Sequence, residues 1–236
     1  MNLTSPPALR AESLVKEFST DWRGHRWRAV DGVSFAVPRG AVCGIVGPNG
    51  SGKSTTLKLL AGVTRPTAGS CHVAGRIGYL PESPGFPDYL TGRGLLAQLA
   101  ALAGLDAARS ARAVAGVLES TGLTDAADRP IREYSKGMRQ RIGLAQALLD
   151  EPEILLLDEP ASGLDPRALE QFGALIRRLR ATGCTIVLSA HFLPKVEELC
   201  DQVILLEQGR MIYAGNSAAV QSAGGLHRLY LERIGA

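Results

Sequence analysis

The sequence predicts an α/β fold: a mostly parallel sheet flanked by helices, preceded by an antiparallel β region and interrupted by an inserted helical subdomain. Three observations predict it. Short unbroken apolar runs such as Ile154-Leu155-Leu156-Leu157 have strand length and suit strands covered on both faces. These runs alternate with segments whose apolar residues recur at helical spacing, for instance Leu169, Phe172, Leu175, Ile176 and Leu179. From about residue 83 to residue 150 the alternation stops and only helical patterns follow one another.

In chain order, residues 12–18 and 29–37 alternate apolar and polar side chains and read as antiparallel strands, with a polar loop containing Trp22 and Trp27 between them. Residues 41–46 form an apolar run ending at Gly47, a buried strand, and residues 54–61 read as a helix after a glycine-rich turn. A strand over 77–80 leads into the helical stretch, where 95–105, 107–120 and 138–149 are the predicted helices. The strand at 154–157 is followed by a helix over 166–182. Asp165 stands at its N-cap, Pro166 at its first position and Gly183 just beyond its end. Further strands are predicted at 184–188, 203–206 and, after the Gln208-Gly209 turn, 210–213. Leu226, Leu229, Tyr230 and Ile234 near the C-terminus share near-helical spacing and are expected to pack on the core.

Composition narrows the functional classes. At 236 residues and 45% hydrophobic, the chain suffices for one domain with a real core, and no internal repeat divides it. A net charge of +3, spread along the chain, does not point to a nucleic-acid partner. The four cysteines are far apart with no C-x-x-C, so reduced thiols are expected rather than a disulfide scaffold or zinc ribbon. The most apolar stretch, 95–105, is broken by Gln98 and falls short of the ~20 residues that span a bilayer. No basic segment followed by an apolar one marks the N-terminus as a secretory signal, and a soluble cytoplasmic domain is expected.

Gly47-Pro48-Asn49-Gly50-Ser51-Gly52-Lys53-Ser54 fits G-x-x-x-x-G-K-[ST], between a predicted strand and a predicted helix. Glycines let the backbone curl so that N–H groups converge on phosphate oxygens, and the helix N-terminus adds partial positive charge. Lys53 supplies a point charge to the β- and γ-phosphates, and the Ser54 hydroxyl is a hard oxygen suited to Mg²⁺. The strand at 154–157 ends in Asp158-Glu159-Pro160, which places two carboxylates at the ligand crevice of a parallel sheet. Asp158 is the expected Mg²⁺ partner; Glu159, one residue on, points elsewhere and is the expected base for a water attacking the γ-phosphate. His191 follows the strand ending Leu188-Ser189-Ala190 and is a candidate γ-phosphate sensor, though a structural histidine fits its position about as well.

Further motifs add a family resemblance. Tyr134-Ser135-Lys136-Gly137-Met138-Arg139-Gln140-Arg141 precedes the carboxylate strand, and Ser162-Gly163-Leu164-Asp165 follows it. With 47–55, Asp158-Glu159-Pro160 and His191, this ordered set resembles the nucleotide-binding subunits of ATP-binding cassette (ABC) transporters over nearly the whole chain, and the signature form is similar to exporters of the multidrug and antibiotic type. The resemblance implies a P-loop NTPase core (1–82 and 151–236) with a helical subdomain (83–150), and ATP and Mg²⁺ as ligands, with Thr55 completing the phosphate loop. It implies that Ser135 and Gly137 contact the γ-phosphate held by a second nucleotide-binding subunit, in a homodimer or heterodimer enclosing two ATP. Asp165 would communicate between the sites, a role compatible with N-capping its helix. Phe18 matches the aromatic that stacks on adenine, with Trp22 and Trp27 as rivals. Glu82 stands where the family usually has glutamine; its carboxylate can still reach Mg²⁺ or a water, and its loop would couple nucleotide to a separately encoded transmembrane permease. Lys136 and Met138 depart from the usual signature, leaving Ser135 and Gly137 as its transferable residues. The resemblance thus implies an ATPase at the inner face of the cell membrane, bound there through its permease and driving export. The alternatives are a soluble ABC-type ATPase and a nucleotide switch without appreciable turnover.

Overall fold

Two sheets, eight α-helices and two single-turn 3₁₀ helices are laid out in the computed structural model, which describes residues 6–19, 25–190, 193–222 and 224–234. The smaller sheet has the order β2-β1-β4. Strands β1 (Leu9–Ser19) and β2 (Arg26–Val37) pair antiparallel, as the alternating pattern predicts, and Phe18 lies directly opposite Trp27. Strand β4 (Ala68–Val73) pairs antiparallel with the other edge of β1. Strand β4 is not among the strands that the sequence pattern predicts. Its Ala-Gly-Ser-Cys-His-Val run is mostly exposed and carries little apolar signal, so pairing with β1 holds it extended.

The larger sheet runs β5-β6-β7-β3-β8-β9, with β3 (Val42–Val46), β5 (Ile77–Leu80), β6 (Ile154–Leu157), β7 (Thr185–Ala190), β8 (Gln202–Glu207) and β9 (Arg210–Asn216). All pairings are parallel except the hairpin of β8 with β9. Because side chains alternate across a strand, the apolar run of β6 feeds two faces. Leu155 and Leu157 join one apolar cluster with Ile186, Leu188, Val203 and Leu205; Ile154 and Leu156 join another with Ile45, Val187, Ile204 and Leu206. Each such leucine, fully buried, is worth about 1.5–3 kcal/mol of transfer free energy.

The first face is covered by α2 (Gly92–Leu102), α3 (Ala107–Ser120), α4 (Lys136–Leu148) and α5 (Pro166–Ala181), through Leu96, Leu118, Ile142 and Ile176. The helical stretch therefore shares one continuous core with the sheet. The second face is covered by α1 (Lys53–Leu60) and the small sheet, through Leu57, Leu60, Leu9, Leu14 and Val33. Side-chain caps start α2 to α5: Thr91, Asp106, Ser135 and Asp165 each accept a backbone N–H from the first turn. Gly183 lies just past α5 with φ 88°, the left-handed stop its position predicts.

Helix α6 (Leu193–Leu199), unforeseen in the sequence, follows β7, and α7 (Ser217–Ser222) and α8 (Leu226–Ile234) form the tail. Leu226 is fully buried and Leu229 and Tyr230 pack on the first cluster, so the tail docks on the core as expected. Among the described residues, no helix is long and apolar enough to cross a membrane. The four cysteines are free, and burial pushes the thiols of Cys43, Cys184 and Cys200 above their ordinary range.

Candidate nucleotide-binding site

Strand β3 sits inside the sheet between β7 and β8, so its C-terminal end opens into a crevice walled by neighbouring strand ends. The chain turns there on Gly47. A Cβ at Gly47 would stand 2.1 Å from the Leu206 carbonyl oxygen and 2.6 Å from Ser51 Oγ, so no larger residue fits. The loop closes with Ser51 N–H on the Pro48 carbonyl at 3.2 Å, and Gly209 N–H holds the Ser51 carbonyl at 3.0 Å. Gly52, at φ 102° and with its missing Cβ 2.5 Å from the Ala29 carbonyl oxygen, delivers the chain into α1. The first-turn N–H groups of α1 thus face the crevice.

Lys53 is 5% exposed, and its ammonium donates to the carbonyls of Gly47 at 2.9 Å and Pro48 at 3.0 Å. Burial lowers its pKa from the usual lysine value, opposed by the charges of Glu159, Asp158 and Glu82. A cation among three carboxylates, its own hydrogen bonds spent on loop carbonyls, is suited to an incoming polyanion. Ser51 Oγ is buried with no hydrogen-bond partner among the described residues, a polar atom at the loop floor.

The carboxylates arrive from β6. Leu157 pairs with Leu188 in β7, so Asp158 emerges beside Ser189. Ser54 Oγ donates to Asp158 Oδ1 at 2.9 Å, and Ser189 Oγ donates to the same oxygen at 2.8 Å. Glu159 N–H donates to Ser189 Oγ at 2.8 Å. Glu159 has φ 49°, left-handed backbone that a non-glycine residue seldom adopts. Tyr79, on β5, is pushed up to about 12 by burial, then by Asp158 and Glu82, which places its hydroxyl in the same acidic surroundings.

A cavity of about 150 Å³ opens over this arrangement, lined by Trp27, Asn49, Gly50, Gly52, Lys53, Ser54, Thr55, Glu82 and Glu159. The fold thus brings together the phosphate loop, Glu82, Glu159 and, through Ser54, Asp158. Gly47 and Ser51 lie buried in the loop and Pro48 half-buried. Phe18 does not line the cavity; Trp27 does, with its ring stacked on Phe18 (centroids 6.2 Å apart, planes at 23°), while Lys16 Nζ lies 5.1 Å from the Phe18 centroid. Ser135, Gly137 and Asp165 are not part of this cavity. Ser135 and Asp165 are exposed and cap α4 and α5, accepting from Met138 N–H at 3.2 Å and Ala168 N–H at 2.8 Å. An added Cβ at Gly137 would meet nothing within 4 Å. His191 and Trp22 lie outside the described residues.

Ser189 is not among the site residues that the sequence singles out. A signal existed: its hydroxyl follows the apolar run Ile186-Val187-Leu188 near the C-terminal end of a fully buried strand. Its partners are set by the register of β7 on β6, which local pattern does not reveal.

The groups present fit a nucleotide and its metal. A glycine cradle, a helix N-terminus and a buried ammonium match phosphate oxygens. The paired Ser54 hydroxyl and Asp158 carboxylate are hard oxygen donors of the kind Mg²⁺ takes. A strand–loop–helix phosphate cradle facing a carboxylate from a neighbouring parallel strand defines a P-loop nucleoside-triphosphate-binding domain.

Comparison with known proteins gives the family. Residues 30–162 match the family model described as ABC transporter. The chain is 37% identical to a Nod factor export ATP-binding protein of Ralstonia nicotianae over 89% of its length and 68% of the relative's. It is 35% identical to the daunorubicin/doxorubicin resistance ATP-binding protein of Streptomyces peucetius, covering 98% of this chain and 72% of that one. A solved structure of an ATP-binding subunit of an ABC transporter superposes with a TM-score of 0.85 at 28% identity, covering 96% and 99% of the two chains. A dimeric bacterial ABC transporter cassette shares the fold at TM-score 0.82 and 21% identity, covering 89% and 98%. The chain belongs to the ABC transporter family, as an ATP-binding and ATP-hydrolysing subunit.

Proposed function

We propose that the chain is the motor of an exporter, working as a dimer on a separately encoded membrane permease. One observation carries the reading: the phosphate loop, Glu82 and Glu159 line a single crevice, while Ser135 and Asp165 stand exposed outside it. A site assembled from one chain's loop and another chain's signature explains both halves of that statement. The direction of transport rests on the relatives, which are named for Nod factor export and for drug resistance.

In the proposed cycle the loop N–H groups and Lys53 hold the ATP phosphates, and Trp27 or Phe18 stacks on the base. Ser54 and Asp158 would hold Mg²⁺, with Glu82 beside them; when bound, the ion would offset negative charge on the β- and γ-phosphates. Glu159 accepts a proton from a water whose oxygen bonds to the γ-phosphorus, as the bond to the β–γ bridging oxygen breaks and ADP leaves. His191 contacts the γ-phosphate, and Ser135 and Gly137, at the N-terminus of α4, reach the γ-phosphate held by the opposite chain. Asp165 combines its cap with contact between the two sites. Residues 83–150 act as the helical subdomain which, with the Glu82 loop, carries the motion to the permease. The protein then sits on the cytoplasmic side of the membrane through that partner.

The test is to purify the chain from membranes of its own cell after mild detergent extraction and measure its partners and ATPase. A polytopic membrane protein and Mg²⁺-dependent turnover are the expected result. Ribosomes or DNA in place of a membrane protein would point to a soluble ATPase, and background turnover to a nucleotide switch.

A further inference from the structure

We infer that Ser189 is a positioning residue for hydrolysis, its hydroxyl the link that holds Asp158 and Glu159 in their working arrangement. The inference rests on the assignment of Glu159 as the base. Ser189 is wholly inaccessible to solvent, at the end of the strand paired with β6. Its hydroxyl has one proton, which goes to Asp158 Oδ1 at 2.8 Å, and a lone pair, which accepts Glu159 N–H at 2.8 Å. A single side chain thereby fixes both the carboxylate proposed for the metal and the peptide N–H of the proposed base.

Two features give the link a purpose. Glu159 sits at φ 49°, a conformation that relaxes unless its surroundings hold it. A further tie at this turn is Ser162 N–H on the Glu159 carbonyl at 3.1 Å, so Ser189 grips the N-terminal side of the residue and Ser162 its C-terminal side. Second, Asp158 Oδ1 receives two hydroxyl protons, from Ser54 and from Ser189. Ser54 belongs to the phosphate loop and would face the metal once nucleotide is bound. Ser189 has no such alternative, so it keeps Asp158 oriented when Ser54 turns away.

Ser189→Ala and Ser189→Thr test this beside the wild type. Alanine removes the link without filling space, and threonine restores the hydroxyl with one added methyl. The readouts are kcat and KM for ATP, thermal unfolding to normalise the folded fraction, and binding of a fluorescent ATP analogue with Mg²⁺ and with EDTA. For Ser189→Ala the expectation is a kcat lower by about tenfold or more. Analogue affinity in EDTA should stay within about threefold of wild type, and the gain in affinity on adding Mg²⁺ should shrink. Threonine should recover most of the kcat; if it is too large for the site, the alanine variant decides alone. A kcat for Ser189→Ala within twofold of wild type overturns the inference. So does a loss of EDTA-state affinity as large as the loss of kcat, which is what a general collapse of the loop produces. Glu159→Gln runs alongside: if it alone keeps wild-type turnover, the base assignment fails and takes the inference with it. If it is inactive while Ser189→Ala is unaffected, only the role of Ser189 fails.

Discussion

Lys53 is folded back onto Gly47, its ammonium donating to the Gly47 carbonyl at 2.9 Å within the loop that it is expected to serve. The charge is buried, and burial is the larger influence on its pKa, exceeding the attraction of Glu159, Asp158 and Glu82. A lysine whose folded pKa lies below its unfolded value binds its proton less tightly in the native state. Its contribution to stability therefore rises with pH as pH climbs from the folded value towards the ordinary 10.5. At neutral pH the charge is a cost to folding and an asset to binding. Lys53→Met should then leave the unfolding free energy from urea titration within about 1 kcal/mol of wild type. ATP affinity by calorimetry should fall at least about tenfold. A strongly destabilised variant with normal ATP affinity would contradict the assignment.

Glu159 lies in the phosphate cavity and is 7% exposed, one residue from a carboxylate already engaged by two hydroxyls. Asp158 and Glu159 are thereby placed in different surroundings. Replacing Glu159 with glutamine keeps shape and removes the proposed proton acceptor. Turnover should fall by about 100-fold or more while ATP binding stays within about threefold. Gel filtration with ATP should show a dimer that persists because its nucleotide is not consumed.

How much was legible in the sequence follows from where each signal resides. The loop from Gly47 to Thr55 is contiguous, so composition and spacing describe it fully, and the four apolar residues of β6 announce the strand that delivers Asp158. Strand β4 escaped because it is exposed and owes its shape to pairing with β1. Ser189 escaped because its two partners come from β6 and are brought to it by a register of parallel strands. The choice among aromatics also depended on pairing. Phe18 and Trp27 are nine positions apart in the chain but directly opposed across β1 and β2, which puts Trp27 at the cavity with Phe18 against it.

Glu17, Arg26 and Arg28, the chain neighbours of that aromatic pair, join Asp31 and Arg210 in an ionic network with its own pH dependence. Arg28 bridges Glu17 at 2.8 Å and Asp31 at 2.8 Å, Arg26 reaches Glu17 at 3.2 Å, and Arg210 from β9 holds Asp31 at 2.8 Å. The network joins the small sheet to the edge of the large one. Arg28, then Arg26, lowers the Glu17 pKa from 4.5; Arg28, then Arg210, lowers that of Asp31 from 3.8. Depressed carboxylate values mean stabilisation that is present above the ordinary pKa and lost as pH falls through the folded one. The urea midpoint should hold steady down to about pH 5 and decline below it. Glu17→Gln should lower the midpoint at pH 7 and flatten the acid decline, and 1 M salt should diminish both effects. An acid decline unchanged in Glu17→Gln would assign it to other carboxylates.

Trp27 and Phe18 make different predictions for the base. If the purine stacks on the ring that lines the cavity, Trp27→Ala should raise KM for ATP roughly tenfold. Phe18→Ala should do less, because its ring backs Trp27 and lies beside Lys16. Tripolyphosphate has no base, so its affinity should be the same in both variants and the wild type. Fluorescence separates the rings directly: with Trp22 replaced by Phe, Trp27 is the sole indole. ATP should then quench its emission in a saturable way, and tripolyphosphate should not. Equal quenching by both ligands would show that the indole senses loop movement rather than a stacked base, and a larger KM effect from Phe18→Ala would move the stacking surface to Phe18.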